Sequence, residues 1–277
     1  MSHPRLAVFA RKATGQVAPI RIIEGQRTAL SRSSHGVFLD AEHDEIIAPS
    51  PLSSAIVVYR RNQKGNTPPK RMIQGLNTHL SGPQGVAVDL KNDELVVSND
   101  NRFSILVFDR RADGNVNPLR EIIGPLTGIT TPEGIVVDPV HDEIILSDEG
   151  DPEANPVIPA SLRVFRRTDN GNVAPIRVIT GPNTGMLRPR QLQLDTERDE
   201  LILADRQLVQ EFIFAVPGFI AIWNRTDSGD VPPKKIIRGP NSQLTSPRAV
   251  YVDPVNNEIG AGDTNTHAIL VYPRDFQ

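Results

Sequence analysis

Short apolar stretches alternate with polar turn segments along this chain, and the same order of stretches returns about every 50 residues. In the second copy they occupy residues 70–75, 85–89, 94–99 and 104–110. Valine and isoleucine are frequent in these stretches, apolar side chains alternate between the two faces within 105–108, and none is long enough for a typical helix. Each copy therefore predicts four β-strands separated by turns.

A fixed spacing of marker residues indicates that the copies are repeats of one unit. An aromatic residue followed two places later by arginine occurs at Phe9/Arg11, Tyr59/Arg61, Phe108/Arg110, Phe165/Arg167, Trp223/Arg225 and Tyr272/Arg274. One apolar stretch of each copy ends in aspartate, at Asp40, Asp89, Asp138, Asp195 and Asp253. The next stretch begins with glutamate, at Glu45, Glu94, Glu143, Glu200 and Glu258. Five copies are complete and a sixth has begun.

A repeat of four short strands with this period is typical of one blade of a β-propeller. The sequence therefore predicts a single all-β domain over residues 1–277, a five-bladed β-propeller of four-stranded antiparallel blades. The repeats run approximately over 5–54, 55–104, 105–160, 161–219 and 220–268, followed by a closing strand at 269–274.

The segments Pro83–Asp89, Glu94–Asn99 and Ser104–Phe108 resemble an NHL repeat, the unit of propellers related to the YVTN and streptogramin-lyase groups. The resemblance implies that the stretch ending in aspartate is the innermost strand, named a. Strand b begins with the glutamate, strand c carries the aromatic residue and arginine, and strand d is outermost. The resemblance implies no single function, because such propellers include protein-binding and RNA-binding modules, lyases and lactone hydrolases. Most have six blades, whereas this chain supplies five a strands.

The strand inventory predicts how the ring closes. The last copy has no d strand, while the chain starts with a c strand at 6–11 and a d strand at 20–25. Strands from both termini are therefore expected to meet in one blade, which leaves no open sheet edge in the ring. One c strand is then left over, and it either loses this competition or pairs with a neighbouring molecule.

The arginines and aspartates that recur in every copy are interpreted as structural. A charge repeated around a ring is explained by each blade needing the same contact with its neighbour, and we expect Arg21 and its equivalents to reach an aspartate of the Asp40 series. Function is expected where the copies differ.

One such set of positions lies just before or along strand a. Its members are His35, Gln84, Glu133, Arg190, Arg248 and Tyr251. If the topology implied by the resemblance holds, they face the mouth of the central channel and line a polar ligand pocket. The other interpretation is that positions near a solvated axis vary freely, and both stay open.

A second set lies at the end of strand b, where the copies place Asp148, Asp205, Asp263 and Asn99. Hard cations such as Ca²⁺ take oxygen ligands of this kind, and the related lactone hydrolases hold a metal at the channel. Calcium is therefore a candidate cofactor if the protein is a hydrolase or lyase. A binding or scaffold propeller is expected to require no cofactor. The alternative is that aspartate and asparagine begin the following turn.

The third difference is in the connections between strands b and c. They are short except at 149–160 and 206–218, which belong to neighbouring blades and so lie side by side on one face. The first is acidic and rich in proline, and the second holds an apolar cluster that includes Phe212, Ile213 and Phe214. That cluster either packs on its own blade, covers the channel, or binds a partner or a second subunit.

Composition excludes several classes of function. A net charge of −3 and a pI near 6.1 provide no attraction for nucleic acid or an anionic membrane. The absence of cysteine excludes disulfides, thiolate zinc sites and cysteine nucleophiles. With no apolar run of membrane-spanning length and no signal-peptide pattern, a soluble cytoplasmic protein is favoured, although removal of a signal would leave the same sequence.

Catalytic motifs such as HExxH and GxSxG are missing as well. A binding or scaffold propeller with a protein or small-molecule partner is therefore favoured over a calcium-dependent hydrolase or lyase. Its binding face is expected around the central channel and the two long loops, and self-association through loop 206–218 or the spare terminal strand is a further hypothesis.

Overall fold

The computed structural model describes residues 4–32, 35–207 and 217–276. It is an all-β propeller of five blades that follow one another in chain order, as the repeats predict. The first four blades are four-stranded antiparallel sheets joined in the order a, b, c, d, and the fifth has three strands.

The chain begins with the hairpin of β1 (Arg5–Val8) and β2 (Arg21–Glu24). Blade 1 comprises β3 (Phe38–Asp40), β4 (Glu45–Ser50), β5 (Ala55–Arg60) and β6 (Arg71–Gln74). Blade 2 comprises β7 (Pro83–Asp89), β8 (Glu94–Asn99), β9 (Ser104–Asp109) and β10 (Arg120–Ile123). Blade 3 comprises β11 (Pro132–Asp138), β12 (Glu143–Asp148), β13 (Ser161–Arg166) and β14 (Arg177–Thr180).

Blade 4 comprises β15 (Pro189–Asp195), β16 (Glu200–Asp205), β17 (Phe219–Asn224) and β18 (Lys235–Ile237). Blade 5 comprises β19 (Pro247–Asp253), β20 (Glu258–Asp263) and β21 (Ala268–Pro273). Single 3₁₀ turns lie at Gln26–Thr28, Pro51–Ser53, Leu76–Thr78, Asp100–Arg102, Pro125–Thr127, Pro182–Thr184 and Pro240–Ser242. In the described part of the chain no helix is long and apolar enough to cross a membrane.

Apolar side chains between adjacent blades form the core. Between blades 2 and 3, for example, Val96 and Ile105 pack in one cluster with Ile144 and Phe165. The middle strands are covered on both faces by neighbouring blades, which is why β8 reads as a continuous apolar run and not as a strict alternation.

In blades 1 to 4 the recurring glycine of the c–d turn contacts the d strand that precedes that blade in the ring. Gly114 has φ of +77°, a conformation that residues with a side chain rarely adopt. Its N–H donates to Met72 of the preceding blade at 2.8 Å. The same parallel bridge joins Ile23 to Gly65, Ile73 to Gly114, Ile122 to Gly171 and Ile179 to Gly229. One glycine in each repeat thus provides both the turn and a contact between blades.

The recurring arginines are structural, but their partners differ from the prediction for the Arg21 series. The equivalents Arg71, Arg120 and Arg177 bind Glu45, Glu94 and Glu143 of their own sheets with two hydrogen bonds each, at 2.6–2.8 Å. The aspartates are reached instead from strand c of the next blade, by Arg110 to Asp40, Arg167 to Asp89 and Arg225 to Asp138, at 3.5–3.9 Å. An arginine that follows strand c has left its sheet and can turn toward the neighbouring blade.

The two chain ends meet in one sector of the ring, but they do not form the shared sheet that the strand count predicts. Within the described residues, β1 and β2 pair only with each other, and β21 pairs only with β20. The sector is connected by side chains, with Arg11 Nη1 2.9 Å from Glu258 Oε2. Both c strands are retained, so neither terminus displaces the other.

Candidate ligand site at the channel mouth

The a strands begin close to the propeller axis, and there the structure brings together four of the predicted residues from four blades. His35 Nδ1 lies 3.0 Å from Glu133 Oε2, and Arg248 Nη1 lies 3.0 Å from His35 Nε2. A guanidinium can only donate, so Nε2 of His35 accepts and its proton resides on Nδ1, from which it is donated to Glu133. The network itself therefore assigns the neutral tautomer of this imidazole.

Glu133 and Arg190 form the buried centre of this network. They are in contact, and each is only 4% exposed. Burial would raise the pKa of Glu133, but the hydrogen bond from His35 and the charge of Arg190 outweigh it and hold that pKa below its ordinary value. Glu133 is therefore an anion that holds the surrounding donors in place.

The first residue of each long loop enters the same network. Glu149, which begins the loop at 149–160, forms an ion pair with Arg190. Burial raises the pKa of Glu149 to about 7 against the opposing charge of Arg190, with the negative charge of Glu133 adding to the rise. The channel mouth and the long loops, which are separate features of the sequence, thus share one site.

Arg206 is the residue that the sequence interpretation did not assign to the pocket. It begins the second long loop and is only 9% exposed. Its Nε is buried without a hydrogen-bond partner, and its guanidinium has no ion pair among the described residues. Burial and the positive charges of Arg190 and Arg248 lower the pKa of Arg206 to about 10. A basic residue at the start of a channel-side loop was the only signal in the sequence.

These groups surround an open hollow of about 420 Å³. Its lining consists of His35, Pro51, Leu52, Gly82, Gln84, Asn101, Arg190, Arg206 and Arg248. The three arginines come from blades 4 and 5, and the Nε atom of each is buried without a hydrogen-bond partner. Guanidinium donors that converge in this way suit a carboxylate or phosphate.

Gln84 also lines the hollow, as predicted, and its Nε2 donates to Asp100 at 3.3 Å. Burial raises the pKa of Asp100, and the nearby charge of Glu133 adds to this rise. Tyr251, by contrast, is exposed on one face of blade 5 and does not line the hollow. It lies three residues after Arg248 and only two before strand a ends at Asp253, and therefore well below the channel mouth.

The residues at the end of strand b do not converge. Asp148, Asp205, Asp263 and Asn99 are buried in four separate blades. Each accepts hydrogen bonds from the connection that leads into strand a of its own blade, from Thr130 N at 2.8 Å, Leu187 N at 2.9 Å, Thr245 N at 2.7 Å and Ser81 N at 2.6 Å respectively. Within the described part of the chain, no three histidine or carboxylate side chains gather as a metal site would require. The geometry supports the turn-forming interpretation of these residues.

Phe212, Ile213 and Phe214 lie outside the described residues, so their partner-binding role stays a prediction. A larger open hollow of about 640 Å³ lies at the rim between blades 1 and 2. Its charged groups are already matched, since His79 Nδ1 and Arg102 Nε lie 2.8 and 3.4 Å from the two carboxylate oxygens of Glu121. The channel mouth is therefore the better candidate for a charged ligand.

Fold and site together define a five-bladed β-propeller with an arginine-lined hollow at its axis. Two similar solved structures support this fold. A chain in the crystal structure of a nidogen/laminin complex has a TM-score of 0.61 and 15% sequence identity, over 86% of this chain and 74% of that chain. A chain of hydrazine synthase from Kuenenia stuttgartiensis has a TM-score of 0.58 and 14% identity, over 83% of this chain and 55% of that chain.

At these identities the similarity shows the fold alone, and this chain spans little more than half of the hydrazine synthase chain. No family model matches the sequence, and no curated protein is significantly similar to it. The resemblance to NHL repeats therefore stays a prediction.

Proposed function

We propose that this propeller is a binding module that holds an anionic group, a carboxylate or phosphate of its ligand, in the hollow at the channel mouth. The observation that carries the proposal is Arg206, a buried guanidinium without an ion pair in the described structure that lines the same hollow as Arg190 and Arg248. A buried charge without a partner is unfavourable, and an anion that binds there compensates it.

The charges around the hollow support an anion over a cation. Arg190 is matched by Glu133 and Glu149, and Arg248 donates to the neutral imidazole of His35. Burial and the charge of Arg190 also lower the pKa of Arg248. Positive charge therefore exceeds negative charge at the arginine side of the hollow, which is the side that a ligand oxygen would approach.

A protein partner is the form of ligand that the comparison favours. The nidogen/laminin structure contains a similar propeller within a complex of proteins. An aspartate or glutamate side chain of a partner would present to the three arginines the same carboxylate as a small molecule.

Titration calorimetry at constant ionic strength tests the proposal, with citrate, inorganic phosphate and a capped Asp-Glu peptide as probes. We expect at least one probe to bind, and Arg206→Gln to weaken it by about tenfold or more, because one charge-assisted hydrogen bond is lost. Arg111→Gln is the matched control. It removes the same charge from an exposed position, two residues after the end of β9, that does not line the hollow. Failure of all three probes to bind, or equal effects of the two variants, would overturn the proposal.

Calcium remains a separate hypothesis from the sequence, and a melting experiment with and without the ion tests it. A calcium site formed by Asp148, Asp205 and Asp263 requires calcium to raise the melting temperature of the wild-type protein. The turn-forming interpretation expects no such rise, and it expects each Asp→Ala variant to be destabilised to the same extent with and without calcium.

A further inference from the structure

The hairpin of β1 and β2 occupies the outer half of a blade position between blade 5 and blade 1. Arg11 reaches Glu258 of blade 5 at 2.9 Å, just as Arg167 reaches Glu94 of the blade before it at 3.1 Å. On its other side, Ile23 makes the parallel bridge to Gly65 that the d strands of blades 1 to 3 make to the following blade. The hairpin thus supplies the c and d strands of this position, and no strand among the described residues fills its a and b places.

Blade 5 exposes to this gap the face that the earlier blades bury. Ile269 is 66% exposed, whereas Ile105 at the same position of blade 2 is 0% exposed. Tyr251 and Val271 are exposed on the same face. Between them lies Gly260, where an added Cβ would meet a single atom, the carbonyl oxygen of Tyr251 at 4.0 Å. An apolar surface at least two strands wide therefore faces the gap, and no strand of the described residues covers it.

Blade 1, on the other side of the gap, also exposes apolar residues on the face that looks into the gap. Leu39 is 52% exposed, whereas its equivalent Val88 is 8% exposed, and Val37 is exposed as well. The outer part of this face is covered, because Leu6 and Ile23 of the hairpin pack with Tyr59. Only the innermost part of the face, at Val37 and Leu39 of the strand a segment, is left open, because Ile46 and Ala48 of strand b are buried.

Two further groups at the gap lack the partners that their equivalents have in other blades: the side chain of Arg61 and the inner edge of β1. The c-strand arginine of blades 2 to 5 reaches the aspartate or glutamate of the preceding blade, and Arg110 is accordingly only 7% exposed. The side chain of Arg61 in blade 1 is 53% exposed, and among the described residues its ion pair is with Asp44 of its own blade, at 3.5 Å. The inner edge of β1, which would pair with a b strand, has no partner among the described strands.

We infer that this gap binds a β-hairpin of a partner chain, which adds the two missing inner strands by β-augmentation. Its second strand would pair with the free edge of β1, and its apolar side chains would cover Ile269 and Val271 on one side and Leu39 on the other. An acidic residue at its turn would meet Arg61.

Arg61 lacks the carboxylate that a preceding blade provides to its equivalents, and this favours such a hairpin over a second copy of this chain. In every blade described here, strands a and b are already paired within their own sheet. A second copy could offer the free edges of β1 and β21, but it has no unpaired a–b hairpin, with an acidic turn for Arg61, that would fill the gap.

The probe is a synthetic peptide of residues Ser81–Asp100, which carries the a and b strands of blade 2 together with Asp89 and Glu94. Added to the intact protein, it should bind saturably, raise the melting temperature and slow amide exchange in Arg5–Val8. The peptide with Asp89→Asn and Glu94→Gln, and the protein variant Arg61→Gln, should each weaken binding by about fivefold, as expected for a partly exposed ion pair.

Val271→Asp places a charge on the exposed face and should abolish binding, while Val140→Asp adds the same charge at the exposed a–b turn of blade 3 and should have no effect. Because Val271 is exposed, both variants should fold, and their melting temperatures without peptide check this. Three results would overturn the inference: no binding of the peptide, binding that is insensitive to Val271→Asp, or a wild-type dimer that Val271→Asp converts to a monomer.

Discussion

The contact between blades 2 and 3 and the gap beside blade 5 are formed by the same repeat positions, yet one is buried and the other is open. Ile105 is fully buried against blade 3, whereas Ile269 at the equivalent position is largely exposed. Both are isoleucines in strand c of a regular repeat. The comparison teaches that a repeat specifies an apolar packing surface, while the presence of a neighbouring blade decides whether that surface is buried in the core.

The largest expected difference comes from truncating this matched pair. Ile105→Ala should lower the free energy of unfolding by about 4 kcal/mol, because it leaves a cavity in a packed interface. Ile269→Ala should change it by less than about 0.5 kcal/mol, as is usual for exposed positions. Urea unfolding of both variants measures this. Equal losses would mean that the face of blade 5 is buried in solution.

The recurring ion pairs offer the next comparison. Arg225 is buried and lies 3.0 Å from Glu143 of the preceding blade, so Arg225→Gln should cost about 3 kcal/mol by leaving a buried carboxylate incompletely paired. Arg61→Gln should cost less than about 1 kcal/mol, because Arg61 is exposed at the gap. Unfolding in urea at pH 7 would separate the two, and a large loss at Arg61 would contradict the open gap.

Acid should reduce the stabilisation that Glu45 contributes more than the stabilisation that Glu258 contributes. Burial would raise the pKa of Glu45, but hydrogen bonds and charges of Arg71 and Lys70 outweigh it and lower that pKa to about 2, from an ordinary value of 4.5. The unfolded chain therefore takes up the proton first, so this stabilisation is present above about pH 4.5 and is lost as the pH falls toward about 2.

Glu45→Gln should therefore be less stable than the wild-type protein at pH 7 and lose less stability on acidification. In the described part of the chain Glu258 is paired with the exposed Arg11 alone, and Glu258→Gln should follow the wild-type curve closely. Melting temperatures measured between pH 2 and pH 7 test both expectations, and identical acid curves for the two variants would refute the contrast.

The smallest expected effect is at two glycines. Gly260→Ala should stabilise the protein by about 0.5–1 kcal/mol, since an interior strand glycine is entropically costly and the space beside it is open. Gly85→Ala should destabilise it, because the added Cβ would lie 2.6 Å from the carbonyl oxygen of Glu133 in the next blade. Thermal unfolding of the two variants would show shifts of opposite sign, and a destabilised Gly260→Ala would argue that the gap is filled.

Part of the candidate site could also be predicted from the sequence. His35, Gln84, Glu133, Arg190 and Arg248 differ among otherwise regular copies, and comparing the copies placed them together at the channel mouth. Tyr251 did not join them, and in the described structure Asp148, Asp205 and Asp263 accept hydrogen bonds from their own connections, while the calcium prediction stays untested. A carboxylate at the end of a strand can bind either a cation or the N–H groups of its own loop, and spacing along the chain does not distinguish these roles.

The sequence by itself determined the repeat, the strands of each blade and the five-bladed ring, because these depend on local periodicity, turn residues and spacing that the copies share. Only the tertiary structure decided which carboxylate each arginine binds, that Arg206 enters the hollow unpaired, and that the two chain ends leave an inner gap. These features depend on distances of a few ångströms between blades that are far apart in the chain. A repeat specifies its own faces, but the number of neighbours around the ring decides which of them are buried.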